Sequence, residues 1–312
     1  MSPIEGGRTE RGEYLGFQNS EVTTSAWLKR PEEVFAIVDE LNKGLPADKR
    51  HGIEIYPMYF PLPGITERIT PEKVAKWLKR YPNAQVDRVH LNFNYDWQEL
   101  FWRAFGNSKE SLGRRYKRVA DMVGTGPATN NNGLHLAREL TYIQDRPVGV
   151  NVHSNVLAGF AKDRRLGELR EGGVSPVLVE NEHPFNSPRL TPEQISNPLV
   201  IKEEMVKRYN LDGMLLGIDH LATEGRDPFP ILEQTADVVR AVHVADRMHR
   251  VLDFEDPQTR KLFDGLSKIR FSNPVSCAID YSVSSLHGMT KAQRFDTVKR
   301  FFEVIDYYKR RA

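Results

Sequence analysis

Eight short runs of β-branched and aliphatic residues, separated by stretches with a helical period, limit the folds open to this chain more than any single motif does. The runs are YLGF (14–17), GIEIYP (52–57), DRVHLNF (87–93), VGVNVHS (148–154), PVLVENE (176–182), MLLGIDH (214–220), VRAVHVAD (239–246) and VSCAIDY (275–281). Between them, apolar residues recur at three- and four-residue spacing, as in Val34, Ile37, Val38 and Leu41 after Pro31. Val74, Trp77 and Leu78 do the same after Thr70-Pro71, an N-cap followed by a first-turn proline. Thr191 with Gln194, and Thr290 with Gln293, read as capping boxes, and Phe295, Val298, Phe302 and Ile305 form the inward face of the last helix. Strands that alternate with helices pair in parallel through crossovers. Eight such units in 312 residues suit an α/β fold, a single (β/α)8 TIM barrel. The competitor is an open doubly wound sheet, but no Gly-x-Gly-x-x-Gly loop follows the first run. The expected organisation is a loose tail over residues 1–12 and one barrel over 13–312. Long loops are expected after strand three (95–146, containing GTGPATNNNG) and strand five (183–197).

Charge and cysteine content narrow the function. Lys and Arg total 44 against 42 Asp and Glu, a net charge of +2, so no strong field favours nucleic acid or an anionic membrane. The single cysteine, Cys277, excludes an internal disulfide framework and suits a reducing compartment. The opening MSPIEGGRTERGEY has no apolar core of a secretory signal, and no apolar run is long enough for a membrane span. A cytoplasmic protein acting on a small molecule is expected.

The two faces of each strand carry the chemistry. Successive side chains on a strand point to opposite sides, and in a barrel one side meets the helices while the other meets the interior. Ile53 and Ile55 oppose Glu54 and Tyr56; Val89, Leu91 and Phe93 oppose His90 and Asn92; Val148, Val150 and Val152 oppose Asn151 and His153. Val177 and Val179 oppose Leu178, Glu180 and Glu182, while Leu216 and Ile218 oppose Gly217 and Asp219. Val242 and Val244 oppose His243, and Cys277 and Ile279 oppose Ala278 and Asp280. Polar groups therefore collect on the inner face, towards the strand C-termini where barrel enzymes assemble their sites. Glu180 and Glu182 would lie roughly 6–7 Å apart at the mouth. Converging Glu180, Asp219 and Asp280 would repel one another in a low-dielectric site. Either arginines such as Arg240 or Arg247 compensate them, or a divalent cation does, with His243 as a neutral nitrogen ligand.

The order VLVEN, LLGID, AVHVAD, CAID, together with GIEIY on strand two, resembles the xylose isomerase-like TIM barrel superfamily. That superfamily includes sugar isomerases, ketose 3-epimerases, inosose dehydratase and metal-dependent apurinic endonucleases. The resemblance implies a metal held by Glu180, Asp219, His243 and Asp280. The ion would be Mn²⁺, Mg²⁺ or Co²⁺ first, with Zn²⁺ or Fe²⁺ as alternatives. It implies a carbohydrate or polyol substrate, isomerised, epimerised or dehydrated by carboxylate proton abstraction. Glu180 is then the first candidate base, its pKa raised by crowding, with Glu182 second and Asp280 in the same group. Glu54, His90, His153, Trp97, Asp246 and Arg247 are the expected substrate contacts. Trp97 also falls in a Trp97, Phe101, Phe105 stripe that suits helix packing. His249, in the loop after Arg247, either contributes to the mouth or stands exposed, as loop histidines usually do, and His220 faces the helices by parity unless the strand has already ended. Two features depart from the family pattern: strand eight ends in Asp280 where Glu is usual, and Ala222 stands where Asp-x-x-His would put a histidine after Asp219. They keep two rivals open, a non-catalytic sugar-binding barrel and an apurinic endonuclease-like phosphodiesterase. Nothing in the sequence fixes the oligomeric state, and a homo-oligomer fits it.

Overall fold

The computed structural model describes residues 14–27, 30–57, 69–91, 127–162, 164–182, 190–246, 249–286 and 288–311. Eight parallel strands close into a barrel: β1 (Asn19–Thr23), β2 (Gly52–Ile55), β3 (Val86–His90), β4 (Gly149–His153), β5 (Val177–Glu180), β6 (Gly213–Gly217), β7 (Val239–Val244) and β8 (Ser276–Ile279). Each strand pairs with its sequence neighbours, and β8 closes on β1 through Ser276 opposite Asn19 to Ile279 opposite Val22. The expected (β/α)8 architecture is therefore present.

The first strand is a correction. YLGF does not enter the barrel: Tyr14–Leu15 pairs antiparallel with Arg270–Phe271 as a separate two-stranded sheet. The barrel begins with NSEVT instead, a strand with one aliphatic residue. Strand six is also shorter than its run of apolar residues. It stops at Gly217, and Ile218–Thr223 turns into helix, carrying Asp219 and His220 with it.

The helices follow the sequence signals closely. They are α1 (Glu32–Leu41), α2 (Pro71–Arg80), α3 (Pro127–Gln144), α4 (Ser154–Lys162), α5 (Arg165–Glu171), α6 (Pro192–Ser196), α7 (Pro198–Ile201), α8 (Ile218–Thr223), α9 (Pro228–Thr235), α10 (Pro257–Leu266) and α11 (Lys291–Lys309). Thr70 caps α2 by accepting the Lys73 amide, and Thr191 and Thr290 form full capping boxes with Gln194 and Gln293. Part of the excursion after β3, read as loop, is helical: α3 starts at Pro127 inside GTGPATNNNG. The remainder of that excursion, Trp97 included, lies outside the described residues, as do residues 1–13 and 183–189.

The main core lies between the barrel wall and the helices. Ile53, Ile55, Val89, Val150, Val152, Val177, Val179, Leu216, Val242, Val244, Cys277 and Ile279 all belong to it, on the face their alternation predicts. In α11 the inward face gains Phe301 beside Val298, Phe302 and Ile305, while Phe295 is only partly buried. The barrel interior has a different composition on its two sides. Leu178, Leu215 and Ala241 fill the β5–β7 side as a small separate apolar cluster. The β1–β3 side is filled by charge: Glu21, Arg88 and Glu54 are all buried. Gly149, opposite Arg88 on β4, leaves the room this needs, since a Cβ there would come within 3.0 Å of the Arg88 stem.

Candidate active site: stacked charges beneath a cluster of imidazoles and carboxylates

Parallel register brings residues of like parity from neighbouring strands to one level of the barrel. At the lower level, Arg88 Nη2 lies 2.8 Å from Glu21 and 3.1 Å from Glu54. One level up, Glu54 contacts two rings. Its Oε1 is 2.6 Å from His90 Nδ1, and both its oxygens are 3.1 Å from His243 Nε2. The far sides of those rings face the mouth. His90 Nε2 lies 2.9 Å from Glu180 and 3.0 Å from His153 Nε2. His243 Nδ1 lies 3.3 Å from Glu180 and 3.9 Å from Asp280. His153 Nδ1 reaches Glu182 at 3.3 Å.

A second group adjoins this one. His249 Nδ1 lies 3.2 Å from Asp219 and 3.3 Å from Asp280, and His220 Nε2 is 3.9 Å from Asp219. Asp280 is tied back to β1: its Oδ1 accepts hydrogen bonds from Thr23 at 2.9 Å and Ser25 at 2.6 Å, leaving Oδ2 to the imidazoles. His220 Nδ1 is 2.8 Å from the carbonyl of Asn181, whose own amide group bonds the backbone of Gly217. Asn181 thus fastens the end of β5 to the point where β6 becomes α8.

Burial disfavours every charge here, yet mutual attraction outweighs it at most positions. Against burial, Glu180 holds His90 up at about 9, helped by Glu54. Against burial, Glu54 and Glu180 hold His243 well above the usual imidazole range. Burial opposes the charge of His249 too, but Asp219 and Asp280 push it to about 10. Burial would neutralise Glu180; His90, His243 and His153 instead keep it well below the ordinary carboxylate range. Glu54 is likewise held low, against burial, by His243 and Arg88. The expected upward shift of Glu180 is thus reversed, because its neighbours are three imidazoles and not carboxylates. His153 goes the other way: burial takes it down to about 4, despite Glu180 and Glu182.

Three sets of described residues bring donor atoms close enough to share one cation: Glu54, His90 and His243; His90, His153 and Glu180; and Asp219, His220 and His249. The donor chemistry fits a divalent ion. Glu180 Oε2, Asp219 Oδ2 and His243 Nδ1 are buried within ion-pair distance of neighbours, yet none makes a directed hydrogen bond. Groups that crowd together without bonding to one another are groups whose lone pairs suit a shared partner.

No family model and no curated protein matches the chain at the level of sequence. Solved structures match it along nearly its whole length. An L-ribulose 3-epimerase aligns with a TM-score of 0.57 at 12% identity, covering 95% of this chain and 97% of its own. A D-allulose 3-epimerase from Methylomonas sp., solved with D-allulose, aligns at 0.56 and 13% identity, covering 96% and 98%. An AP endonuclease, family 2, from Brucella melitensis aligns at 0.53 and 17% identity, covering 89% and 96%. The chain has the fold of the xylose isomerase-like TIM barrels.

Within this xylose isomerase-like barrel, the residues singled out in the sequence divide into groups. Glu180, His243 and Asp280 share one neighbourhood around His243 Nδ1. Asp219 joins them through Asp280, with His249 between the two carboxylates. His90 and His153 are at the mouth beside Glu180, and Glu182 borders His153. Glu54, expected to touch substrate, is fully buried with its carboxylate enclosed by Arg88, His90 and His243. Asp246, also expected there, is exposed and pairs with Arg250 at 3.2 Å. Trp97 and Arg247 lie outside the described residues. Sequence reasoning missed Arg88, which shares the parity of His90, and the hydroxyls of Thr23 and Ser25 on Asp280. It left His249 open between the mouth and solvent, and read His220 as helix-facing unless the strand had already ended. His220 enters because β6 ends early, and His249 because its loop folds back over β8.

Proposed function

We propose that this barrel is a metal-dependent isomerase or epimerase of a sugar or polyol, or a related lyase. The observation that carries the reading is the crowding of Glu180, His90, His153 and His243 at the barrel mouth, with Glu182 beside them. Glu180, His243, Asp280 and Asp219 are the proposed metal ligands. Mn²⁺, Mg²⁺ or Co²⁺ suits their carboxylate-rich set, with Zn²⁺ or Fe²⁺ as alternatives. The ion, when bound, polarises a substrate carbonyl and stabilises the negative charge that develops beside it.

The other roles belong to the chain's own side chains. Glu180 faces three imidazoles and stays ionised, which suits a ligand better than a group that must take up a proton. Glu182 lies beside this cluster, 3.3 Å from His153 at the barrel mouth, and is the proposed acceptor of the substrate's carbon-bound proton. His153, held neutral, can receive a hydrogen bond from a substrate hydroxyl or pass a proton to Glu182. Asp280, tethered by Thr23 and Ser25, is proposed as a fixed ligand and not as a mobile base.

Likeness to epimerases that bind free sugars supports the substrate class. The test is elemental analysis followed by a carbohydrate and polyol panel in D₂O. One equivalent of a divalent ion, with deuterium incorporated beside a carbonyl, is expected. No exchange with any substrate, with or without added metal, refutes the proposal.

One observation favours a second reading. The Asp219, His220 and His249 group is a second donor set that shares Asp219 with the first, and one matched structure is an AP endonuclease. A phosphodiesterase would fill both sets. Two or more equivalents of zinc, with cleavage of abasic DNA, would select it.

A further inference from the structure

Glu54 is the carboxylate that lies beneath the two inner histidines of the site, between them and Arg88. It is fully buried, and its two oxygens face Arg88, His90 and His243. Each ring nitrogen of His90 faces a carboxylate, Nδ1 hydrogen-bonded to Glu54 at 2.6 Å and Nε2 2.9 Å from Glu180. Turning the ring over would set a carbon against each carboxylate, so the orientation is determined. The same holds for His243, with Nε2 on Glu54 at 3.1 Å and Nδ1 on Glu180 at 3.3 Å. The two histidines therefore approach one carboxylate with opposite nitrogens. A histidine that donates one ring N–H to a carboxylate has its tautomer and its free lone pair fixed by that bond.

We propose that Glu54 is a positioning residue shared by both histidines: it keeps a proton on Nδ1 of His90 and on Nε2 of His243, so that His90 serves the mouth through Nε2 and His243 through Nδ1. The arrangement extends downward. Arg88 steadies Glu54, and Glu21 steadies Arg88, so two strand residues beneath the site hold the residue that aims the rings. The part concerning ligation rests on the metal reading above; the placement of the two ring protons does not.

The test is long-range proton–nitrogen NMR on histidine-labelled full-length protein, metal-free and with Zn²⁺, which is diamagnetic. The rings are assigned by His90→Asn and His243→Asn. Slowly exchanging ring protons on Nδ1 of His90 and on Nε2 of His243 are expected in both states, beside the second proton that each charged ring carries towards Glu180 in the metal-free protein. In Glu54→Gln the amide NH2 faces His243 Nε2 in either orientation, and His90 Nδ1 or Arg88 besides, donor against donor, so at least one of these signals is lost. Zn²⁺ affinity then falls about 10–100-fold, with a cooperative melting curve showing that the variant is folded. A wild type that lacks the proton on Nδ1 of His90 or on Nε2 of His243, or a folded Glu54→Gln variant with unchanged signals and unchanged affinity, overturns the proposal. Failure of the wild type to bind any divalent ion, with both ring protons where stated, removes the metal reading and leaves the positioning role standing.

Discussion

Replacing Arg88 by methionine tests whether the lower barrel is held by its stacked charges. Arg88 is 3% exposed and stands between two buried carboxylates, 2.8 Å from Glu21 and 3.1 Å from Glu54. Methionine fills much of the same space without charge. Removing one partner of a buried ion pair leaves an uncompensated charge and costs about 3–5 kcal/mol. For a chain of 312 residues, an unfolding entropy near 2.1 cal/mol/K per residue turns that into a fall in Tm of about 5–8 °C. Burial already lifts Glu21 to about 7 in the wild type, against the pull of Arg88. Without the guanidinium its pKa rises further, so the folded variant binds a proton that the unfolded chain releases. Stability of Arg88→Met therefore improves as pH falls through that raised value, and the deficit is larger at pH 8 than at pH 6. The double variant Glu21→Leu, Arg88→Met removes both charges, while Glu54 keeps His90 and His243. Its loss should be smaller than that of Arg88→Met alone, a marked departure from additivity. Calorimetric melts of the three proteins at both pH values decide the matter. An Arg88→Met melt within about 1 °C of wild type, or a double variant at least as unstable as the single, would refute the account.

Four shorter predictions follow. His51 is buried against Phe302 and held down at about 4 by burial, against the pull of Asp306, so it is neutral in the fold but charges on unfolding. Stability should fall between about pH 6.5 and pH 4, by up to about 3 kcal/mol from this group, and denaturant titrations of His51→Gln should show a flatter pH profile. Glu180→Gln removes the ionised carboxylate among three imidazoles; divalent-ion affinity, read by chelator competition, should fall at least about 100-fold. Glu182→Gln should retain the metal and lose deuterium exchange by about 10²–10⁴-fold; exchange at the wild-type rate would exclude it as the base. Thr290→Ala breaks the capping box of the last helix and should cost about 1 kcal/mol, a fall in Tm of about 1.5 °C.

Where burial and alternation speak together, the chain is easy to read. Seven of the eight barrel strands announce themselves because their helix-facing positions are aliphatic, and the same parity turns Glu54, His90, His153, Glu180 and His243 inward. The barrel's first strand is hidden for a physical reason. In NSEVT, Ser20 faces out but bonds His51, Glu21 enters the charged stack and Thr23 holds Asp280, which leaves Val22 as the strand's aliphatic residue. YLGF misleads because an apolar run can equally build a small sheet outside the barrel. His249 and Ser25 reach Asp280 through chain reversals beyond β7 and β1, and no local period encodes such reach. Glu54 shows the limit of parity: the alternation gives the face but not the depth, and at its depth the carboxylate is enclosed by Arg88, His90 and His243.

The stack of Glu21, Arg88 and Glu54 has a consequence for how such a barrel can change. The two rings are contacted from below by Glu54, which Arg88 and Glu21 steady in turn, all from the first three staves. On the role proposed for Glu54, new roofs can be fitted over this floor, for new guests, without disturbing which nitrogen each ring offers. A single residue inserted in β2 would do the opposite: it would swing Glu54 out among the helices and unfasten both rings at once, under a roof left untouched.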